Sequence, residues 1–228
     1  MALQRAKLKG IVDLVFCIDN SGSMESCIEG LKTNVNSFVE ALNTSNPQLK
    51  IDFRIGFCLY NYKNYNVLKF IDDPQIFKSQ LESVNSDNLQ EFTPGAIDFS
   101  ISDFEWRPDC NKFMIVFTDE GLLDGYSDNY VADKGATDFE NLKDKIINNK
   151  INLFYYGAEC QYYEQFGKMP RGRFTKMWFD DSLDFNELLR NLGKTVSNSI
   201  ESGVQIKKNA DIKTLVYNQD GVNTNYLN

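Results

Sequence analysis

The chain has 228 residues, of which 42% are hydrophobic, 13% aromatic and 25% charged, as is typical of a folded soluble domain rather than a disordered segment. Its formal net charge of −8 argues against nucleic acids and anionic membrane surfaces as partners, because binding to them requires clustered lysine and arginine side chains. The absence of histidine excludes histidine-based acid–base catalysis, Ser/His/Asp nucleophiles and His-ligated zinc.

The cysteines and the amino-terminal residues predict a cytoplasmic protein. The cysteines are odd in number, form no C-x-x-C pair, and include two that lie within apolar runs resembling buried strands. The five positions are Cys17, Cys27, Cys58, Cys110 and Cys160. No uninterrupted apolar segment follows the first ten residues, since Asp13 interrupts it, and we find neither a signal peptide nor a membrane span.

Short apolar runs alternate with longer amphipathic segments, a pattern typical of βα units wound around a parallel sheet. We therefore predict an α/β fold of Rossmann-like architecture, with an open, mostly parallel central sheet, one antiparallel edge strand and helices on both faces. The predicted strands are 11–18, 51–60, 67–71 as the antiparallel edge, 113–117, 151–156 and a weaker last strand at 174–179. The predicted helices are 24–42, 74–84, 96–106, 137–147 and 182–199.

The composition of the chain changes near its end and suggests three parts. From residue 203 onward the sequence is polar and rich in asparagine, with a single apolar island. We predict an amino-terminal extension at 1–10, one domain at 11–202, and a carboxyl-terminal tail or added strand at 203–228.

The segment Asp19-Asn20-Ser21-Gly22-Ser23 lies between the first predicted strand and the first long helix. Such a position is at the carboxyl edge of a parallel sheet, where open α/β sheets bind ligands. A carboxylate and two hydroxyls are hard oxygen donors that suit Mg²⁺ and leave coordination positions for water or a ligand. The same residues also suit an ordinary turn with side chains bonded to backbone amides. From these residues alone, both interpretations stay open.

The sequence resembles the von Willebrand factor A family at three separated places. VDLVFCIDNSGSM is similar to the family's first strand and its D-x-S-x-S element, EFTPGAI to its Thr-Pro segment, and WRPDCNKFMIVFTDEG to its central strand and T-D-G turn. The three matches occur in the family's order, and the pattern covers residues 8–202.

This resemblance implies a metal-ion-dependent adhesion site, abbreviated MIDAS. The implied ligands are Asp19, Ser21 and Ser23 from the first loop, Thr93 from the second and Asp119 from the third. In the family the cation is usually Mg²⁺ or Mn²⁺, and a Glu or Asp of a protein partner completes its coordination. The chain departs from the family at Glu120, where glycine is common, and the extra carboxylate affects how tightly an acidic ligand is expected to bind.

The resemblance further implies a binding module without catalysis. Its similarity to intracellular prokaryotic members suggests an adaptor or assembly factor in a multi-protein system, with a kinase, phosphatase or ATPase among the candidate partners. Because we expect the site on surface loops, we predict that Asp19→Ala or Asp119→Ala removes partner capture and leaves the fold nearly intact.

Two other functions compete with this interpretation. A Mg²⁺-dependent phosphatase of the haloacid dehalogenase type also places an Asp after its first strand, but it needs a second carboxylate two residues later, where this chain has Ser21. A nucleotide-binding Rossmann domain would carry G-x-G-x-x-G or G-x-x-x-x-G-K-[ST], and both motifs are missing.

Two weaker patterns remain. The segment 121–138 contains four aspartates, but their spacing does not match an EF-hand, and we interpret it as a solvated acidic loop. Aromatic residues also cluster around the end of the fifth predicted strand, which indicates half-buried packing, with a protein interface as the alternative. That cluster comprises Tyr155, Tyr156, Tyr162, Tyr163 and Phe166.

Overall fold

A computed structural model describes residues 8–61, 64–83, 92–119, 139–159, 162–180 and 182–200. Six strands form one sheet: β1 (Leu8–Asp19), β2 (Leu49–Tyr60), β3 (Tyr65–Ile71), β4 (Asn111–Thr118), β5 (Ile151–Gly157) and β6 (Gly172–Lys176). Their order in the sheet is β3-β2-β1-β4-β5-β6. All neighbouring strands pair in parallel except β2 and β3, so β3 is an antiparallel edge strand. The predicted fold class is confirmed.

Helices cover both faces of this sheet. They are α1 (Glu25–Thr44), α2 (Pro74–Glu82), α3 (Thr93–Asp103), α4 (Phe139–Asn148) and α5 over residues 185–200, with short 3₁₀ helices at Gly22–Met24 and Tyr163–Lys168. One hydrophobic cluster joins the sheet to α1, α2 and α5, and a second joins it to α3, α4 and the second 3₁₀ helix. The sheet is therefore the middle layer of three.

The central strand β1 supplies side chains to both clusters because successive residues of a strand point to opposite faces. Val12, Leu14, Phe16 and Ile18 belong to the first cluster, and Val15 and Cys17 to the second. Phe16 lies at the centre of the first cluster, where its ring contacts those of Phe38, Phe77 and Phe117. Burial on both faces explains why this strand reads as a nearly continuous apolar run.

Two glycines allow α1 and α5 to approach each other closely. A Cβ atom on Gly30 would lie 2.4 Å from the ring of Phe185, and one on Gly193 would lie 2.4 Å from the backbone oxygen of Phe38. Each helix therefore has a glycine at the point where the other helix presents a large side chain or a backbone atom.

Several predicted element ends differ from the structure by a few residues. Helix α3 ends at Asp103 rather than Trp106, because Phe104 adopts an extended conformation and its ring packs with that of Trp106 against Phe70. The Trp106 indole also donates to the Ser100 carbonyl, which satisfies one of the last carbonyls of the helix.

The last strand occupies Gly172–Lys176 rather than 174–179. A Cβ on Gly172 would lie 1.8 Å from the Phe166 carbonyl oxygen, so the strand starts where only glycine fits. Beyond Lys176 the chain turns over the sheet, and the ring of Phe179 packs against Phe117.

A buried ion-pair network lies at the amino edge of the sheet. The fully buried Asp13 carboxylate accepts two hydrogen bonds from the Arg54 guanidinium, and one each from the Arg107 backbone amide and Nε. Arg107 also binds Asp52 at 3.0 Å and the Val12 carbonyl at 2.7 Å. These contacts hold β1, β2 and the segment before β4 together.

Candidate metal centre

Three neighbouring strands end in polar side chains at one edge of the sheet. Asp19 ends β1, Tyr60 ends β2 and Thr118 ends β4, and β1 lies between the other two strands. Because the three strands are parallel, their carboxyl ends meet at the same edge. All three residues are fully buried.

The Asp19 carboxylate is held by two hydrogen bonds from neutral groups. Its Oδ1 accepts the Ser21 backbone amide at 2.8 Å, and its Oδ2 accepts the Thr118 hydroxyl at 3.0 Å. The first bond closes a tight turn directly after β1, and the second joins β1 to β4. The orientation of this carboxylate is therefore set from both sides.

The two serines of the first loop present their hydroxyls together. Ser21 and Ser23 have Oγ atoms 2.9 Å apart, although the two residues lie on either side of Gly22. The 3₁₀ turn at Gly22–Met24 brings them together ahead of α1. Ser21 is buried and Ser23 is exposed, so this pair connects the interior of the site to solvent.

Thr93 is the first residue of α3 and is fully buried, so it is neither the N-cap of that helix nor a solvated turn residue. Its Oγ1 lies 2.7 Å from the Tyr60 hydroxyl and donates to the Thr118 Oγ1 at 3.5 Å. Thr118 in turn donates to Asp19. These contacts join the Tyr60, Thr93 and Thr118 hydroxyls into a series that ends on the Asp19 carboxylate.

Asp119 directly follows Thr118 and is partly exposed. Its charge and that of Asp19 both act on the buried thiol of Cys27 in α1. Burial is the main cause that raises the pKa of Cys27 well above its usual value, and these two carboxylates raise it further. Both acidic side chains therefore lie near the start of α1.

The five residues singled out from the sequence lie at one edge of the sheet. Hydrogen bonds connect Ser23, Ser21, Asp19, Thr118 and Thr93 in that order, and Asp119 is joined to this series through the backbone. The side-chain atoms of the five residues that could bind a metal are all carboxylate or hydroxyl oxygens, and Mg²⁺ and Mn²⁺ prefer such ligands. The donor set fits such an ion.

Acidic side chains alone do not make this site. Within the ranges that the structure describes, no three His, Cys, Asp or Glu side chains converge as a metal-binding group. A cation at this edge would therefore depend on the serine and threonine hydroxyls together with the two aspartates.

Tyr60 and Thr118 are residues of this site that sequence reasoning missed. Both end apolar strands, and a polar side chain closing a buried parallel strand is the signal that could have identified them. Their hydroxyls contact Thr93 and Asp19 rather than solvent.

The burial of Asp19 also corrects the expectation that Asp19→Ala leaves the fold nearly intact. Removing the carboxylate would leave the Ser21 amide and the Thr118 hydroxyl without this acceptor in a buried position, which is costly. Asp119, which is partly exposed, is the better position for testing the site.

Two sequence predictions near the site fall outside the described residues: the departure at Glu120 and the acidic segment 121–138. The aromatic cluster is described and is mainly core. Tyr155, Tyr163 and Phe166 are fully buried and pack against one another, whereas Tyr156 and Tyr162 are partly exposed. These three buried residues are therefore not available to a protein interface.

The family model for the von Willebrand factor type A domain matches residues 13–217. The chain belongs to this family. None of the curated proteins searched matches it. No helix in the described ranges combines the length and the apolar character needed to cross a bilayer.

Several solved structures are similar to this von Willebrand factor A chain. Proximal thread matrix protein 1 from the mussel byssus has a TM-score of 0.58 at 13% identity, over 84% of this chain and 47% of the mussel chain. The VWA domain of SpRpn10 has a TM-score of 0.57 at 12% identity, over 78% of this chain and 93% of the SpRpn10 chain. A von Willebrand factor type A protein from Catenulispora acidiphila has a TM-score of 0.59 at 15% identity, over 82% of this chain and 43% of the Catenulispora chain.

These similarities establish the fold. The match spans about half the length of the mussel protein and less than half of the Catenulispora protein. The mussel protein has also been solved with a zinc-occupied MIDAS motif, at a TM-score of 0.57 and 13% identity over 82% of this chain and 47% of that one. Domains of this family are mostly non-catalytic interaction modules that bind a divalent cation and, through it, protein partners.

Proposed function

We propose that this chain is a non-catalytic protein-binding module with a MIDAS formed by Asp19, Ser21, Ser23, Thr93 and Asp119. The observation that supports the proposal is the hydrogen-bonded series from Ser23 to Thr93, which joins side-chain oxygens of the first loop, the end of β4 and the start of α3 at one edge. A bound Mg²⁺ or Mn²⁺ supplies a positive charge and an open coordination position for a Glu or Asp of the partner.

Each residue has a distinct task in this proposal. The exposed Ser23 hydroxyl contacts that of the buried Ser21, so this pair connects the site to solvent and to an approaching partner. Asp19 and Asp119 supply negative charge, which is needed because the amino end of α1 carries the positive end of the helix dipole. Thr93 adds a hydroxyl that Tyr60 and Thr118 hold in place from behind.

The alternative function is a Mg²⁺-dependent phosphatase that uses Asp19 as its nucleophile. Such a carboxylate must reach the phosphorus atom of its substrate, whereas the Asp19 side chain is fully buried and held by Ser21 and Thr118. The residue two positions later is Ser21, which cannot act as the general acid. Both observations favour binding over turnover.

A turnover assay distinguishes these two functions. We expect no hydrolysis of p-nitrophenyl phosphate by the purified protein in Mg²⁺ beyond the rate in buffer. A measurable rate that Asp19→Asn abolishes, in a variant with an unchanged circular dichroism spectrum, would overturn the non-catalytic proposal.

Capture of a partner is the direct test of the binding function. Immobilised protein should retain at least one protein from a lysate of the source cells in Mg²⁺ and release it when the cation is chelated. The retained protein is then purified, and its binding to wild type, Asp119→Asn and the double variant Ser21→Ala/Ser23→Ala is measured.

We expect both variants to lose at least tenfold in affinity, and the partner to lose as much when one of its own acidic residues is replaced. Asp109→Asn is the matched control, because Asp109 is an exposed aspartate before β4, at the opposite edge of the sheet. Chelator-insensitive binding, or equal losses in the control, would contradict the proposal. A role as a cytoplasmic adaptor or assembly factor, with a kinase, phosphatase or ATPase as partner, is the cellular setting that we propose.

A further inference from the structure

Trp178 is a large aromatic side chain left in solvent, with 60% of its surface exposed. The other large exposed hydrophobic side chains in the described ranges are Ile76 and Ile147. Ile147 lies near the end of α4, four residues before β5 begins, and Ile76 follows the antiparallel strand β3. Both are therefore near the amino edge of the sheet, whereas Trp178 follows the carboxyl end of β6, at the edge that carries the metal centre.

The sheet register gives the distance between β6, which precedes Trp178, and β1, which ends at Asp19. Thr118 pairs with Gly157, and Gly157 pairs with Lys176, two residues before Trp178. Three strand-to-strand steps separate β1 from β6, which amounts to roughly 14 Å. An extended peptide covers this span in about four residues.

The backbone on both sides of Trp178 is fixed. The Met177 amide donates to the Gly157 carbonyl at 2.9 Å. The Phe179 ring is buried, with its centroid 5.7 Å from that of Phe117, and its carbonyl accepts the Ser26 hydroxyl at 3.1 Å. Ser26 lies one helical turn after Ser23 of the metal centre, so the segment that presents Trp178 is tied directly to the helix that begins there.

We propose that Trp178 is a partner-contact residue of the metal centre. It packs against an apolar side chain within about four residues of the acidic residue that the cation captures. The inference rests on the proposed function and specifies its partner: an extended acidic segment with an aromatic or large aliphatic side chain at that spacing. A rigid, exposed tryptophan beside a polar site is typical of the residues that contribute most to protein interfaces.

A second, apolar contact would offset the repulsion between this acidic chain and an acidic partner. With a net charge of −8, the protein repels an acidic partner at long range, and this repulsion offsets part of the attraction at the cation. A cation with one open position also accepts any carboxylate, so it selects little among partners. Apolar contact with Trp178 supplies both affinity and selection.

Two capped peptides test this inference. The probes are acetyl-Glu-Gly-Gly-Gly-Phe-amide and acetyl-Glu-Gly-Gly-Gly-Ala-amide, titrated in Mg²⁺ into protein labelled at the indole nitrogens of its two tryptophans. We expect the phenylalanine peptide to bind about fivefold more tightly than the alanine peptide and to shift the Trp178 indole resonance. That difference should disappear in Trp178→Ala and persist in Ile147→Ala, the matched exposed apolar position at the opposite edge.

The outcomes separate this inference from the proposed function. If both peptides bind equally in Mg²⁺ and lose binding in chelator, the metal centre stands and the role of Trp178 is overturned. The role is also overturned if the fivefold preference survives in Trp178→Ala. If neither peptide binds in a Mg²⁺-dependent way, the proposed function fails, and this inference fails with it.

Discussion

The hydroxyl of Thr118 donates a 3.0 Å hydrogen bond to Oδ2 of Asp19, so the residue that ends β4 orients the carboxylate that ends β1. Thr118 receives a hydrogen bond from Thr93, whose Oγ1 also forms a hydrogen bond with the Tyr60 hydroxyl. The candidate ligands are thus supported by a buried chain of hydroxyls, each of which restricts the next. Loss of the Thr118 or Tyr60 hydroxyl should weaken the site without removing a ligand.

Replacing Thr118 with valine keeps the shape of the side chain and removes its hydroxyl. Asp19 then loses one of the donors that orient it, and we expect Mg²⁺ affinity to fall by about tenfold, as when hydrogen-bonding partners of metal ligands are removed elsewhere. Calorimetric titration measures the affinity. Thr175→Val, at an exposed position on β6, is the control and should leave it unchanged.

Replacing Tyr60 with phenylalanine removes the hydroxyl that contacts Thr93, at the end of the hydroxyl series farthest from Asp19. The ring stays buried, so the free energy of unfolding should change by only about 1 kcal/mol, the usual net value of one hydrogen bond. Mg²⁺ affinity should fall by a smaller factor than in Thr118→Val, because Tyr60 acts on Asp19 only through Thr93 and Thr118. A larger loss of Mg²⁺ affinity in Tyr60→Phe than in Thr118→Val would contradict this order of hydroxyls.

The sequence was sufficient to predict the sheet, because its buried strands form apolar runs. The five candidate ligands came from the resemblance to the von Willebrand factor A family, since Thr93 begins a helix and does not end a strand. The sequence could not reveal that Asp19 is fully buried, with its carboxylate bonded to Thr118 of the neighbouring strand β4 as well as to Ser21 of its own loop. It also could not place the end of α3, because helix propensity near Trp106 is outweighed by the packing of Phe104 on Phe70.

Asp13 should make stability depend on pH in the acid range. Burial alone would raise the pKa of Asp13, but hydrogen bonds from Arg54, Arg107 and Cys110 outweigh it and lower the pKa below its usual value. A carboxyl with a lowered folded-state pKa contributes stability that is fully present above its unfolded pKa, near 4, and is lost as the pH falls through the folded value.

The variant Asp13→Asn isolates that contribution. It leaves two arginines without their shared carboxylate, and we expect unfolding free energy at pH 7 to fall by about 3 kcal/mol. Urea unfolding of wild type and variant should converge as the pH drops below about 4. A difference that stays constant between pH 7 and pH 3 would show that the charge of Asp13 does not stabilise the fold.

Gly193→Ala should destabilise the contact between α1 and α5. The new Cβ would lie 2.4 Å from the Phe38 carbonyl oxygen, a backbone atom that moves only if the helix moves. We expect a loss of about 1–3 kcal/mol in unfolding free energy, despite the higher helix propensity of alanine. Lys194→Ala, exposed on the same helix, is the control and should change stability by less than about 0.5 kcal/mol.

In the proposed site, oxygen atoms from three separate parts of the chain hold one divalent cation, and calorimetric titration with Mg²⁺ measures this binding. We expect a single site in the wild-type protein and at least tenfold weaker binding in Asp119→Asn and in Ser21→Ala/Ser23→Ala, with Asp109→Asn unchanged. Equal Mg²⁺ binding by the wild type and both site variants, all with intact circular dichroism spectra, would contradict the proposed site.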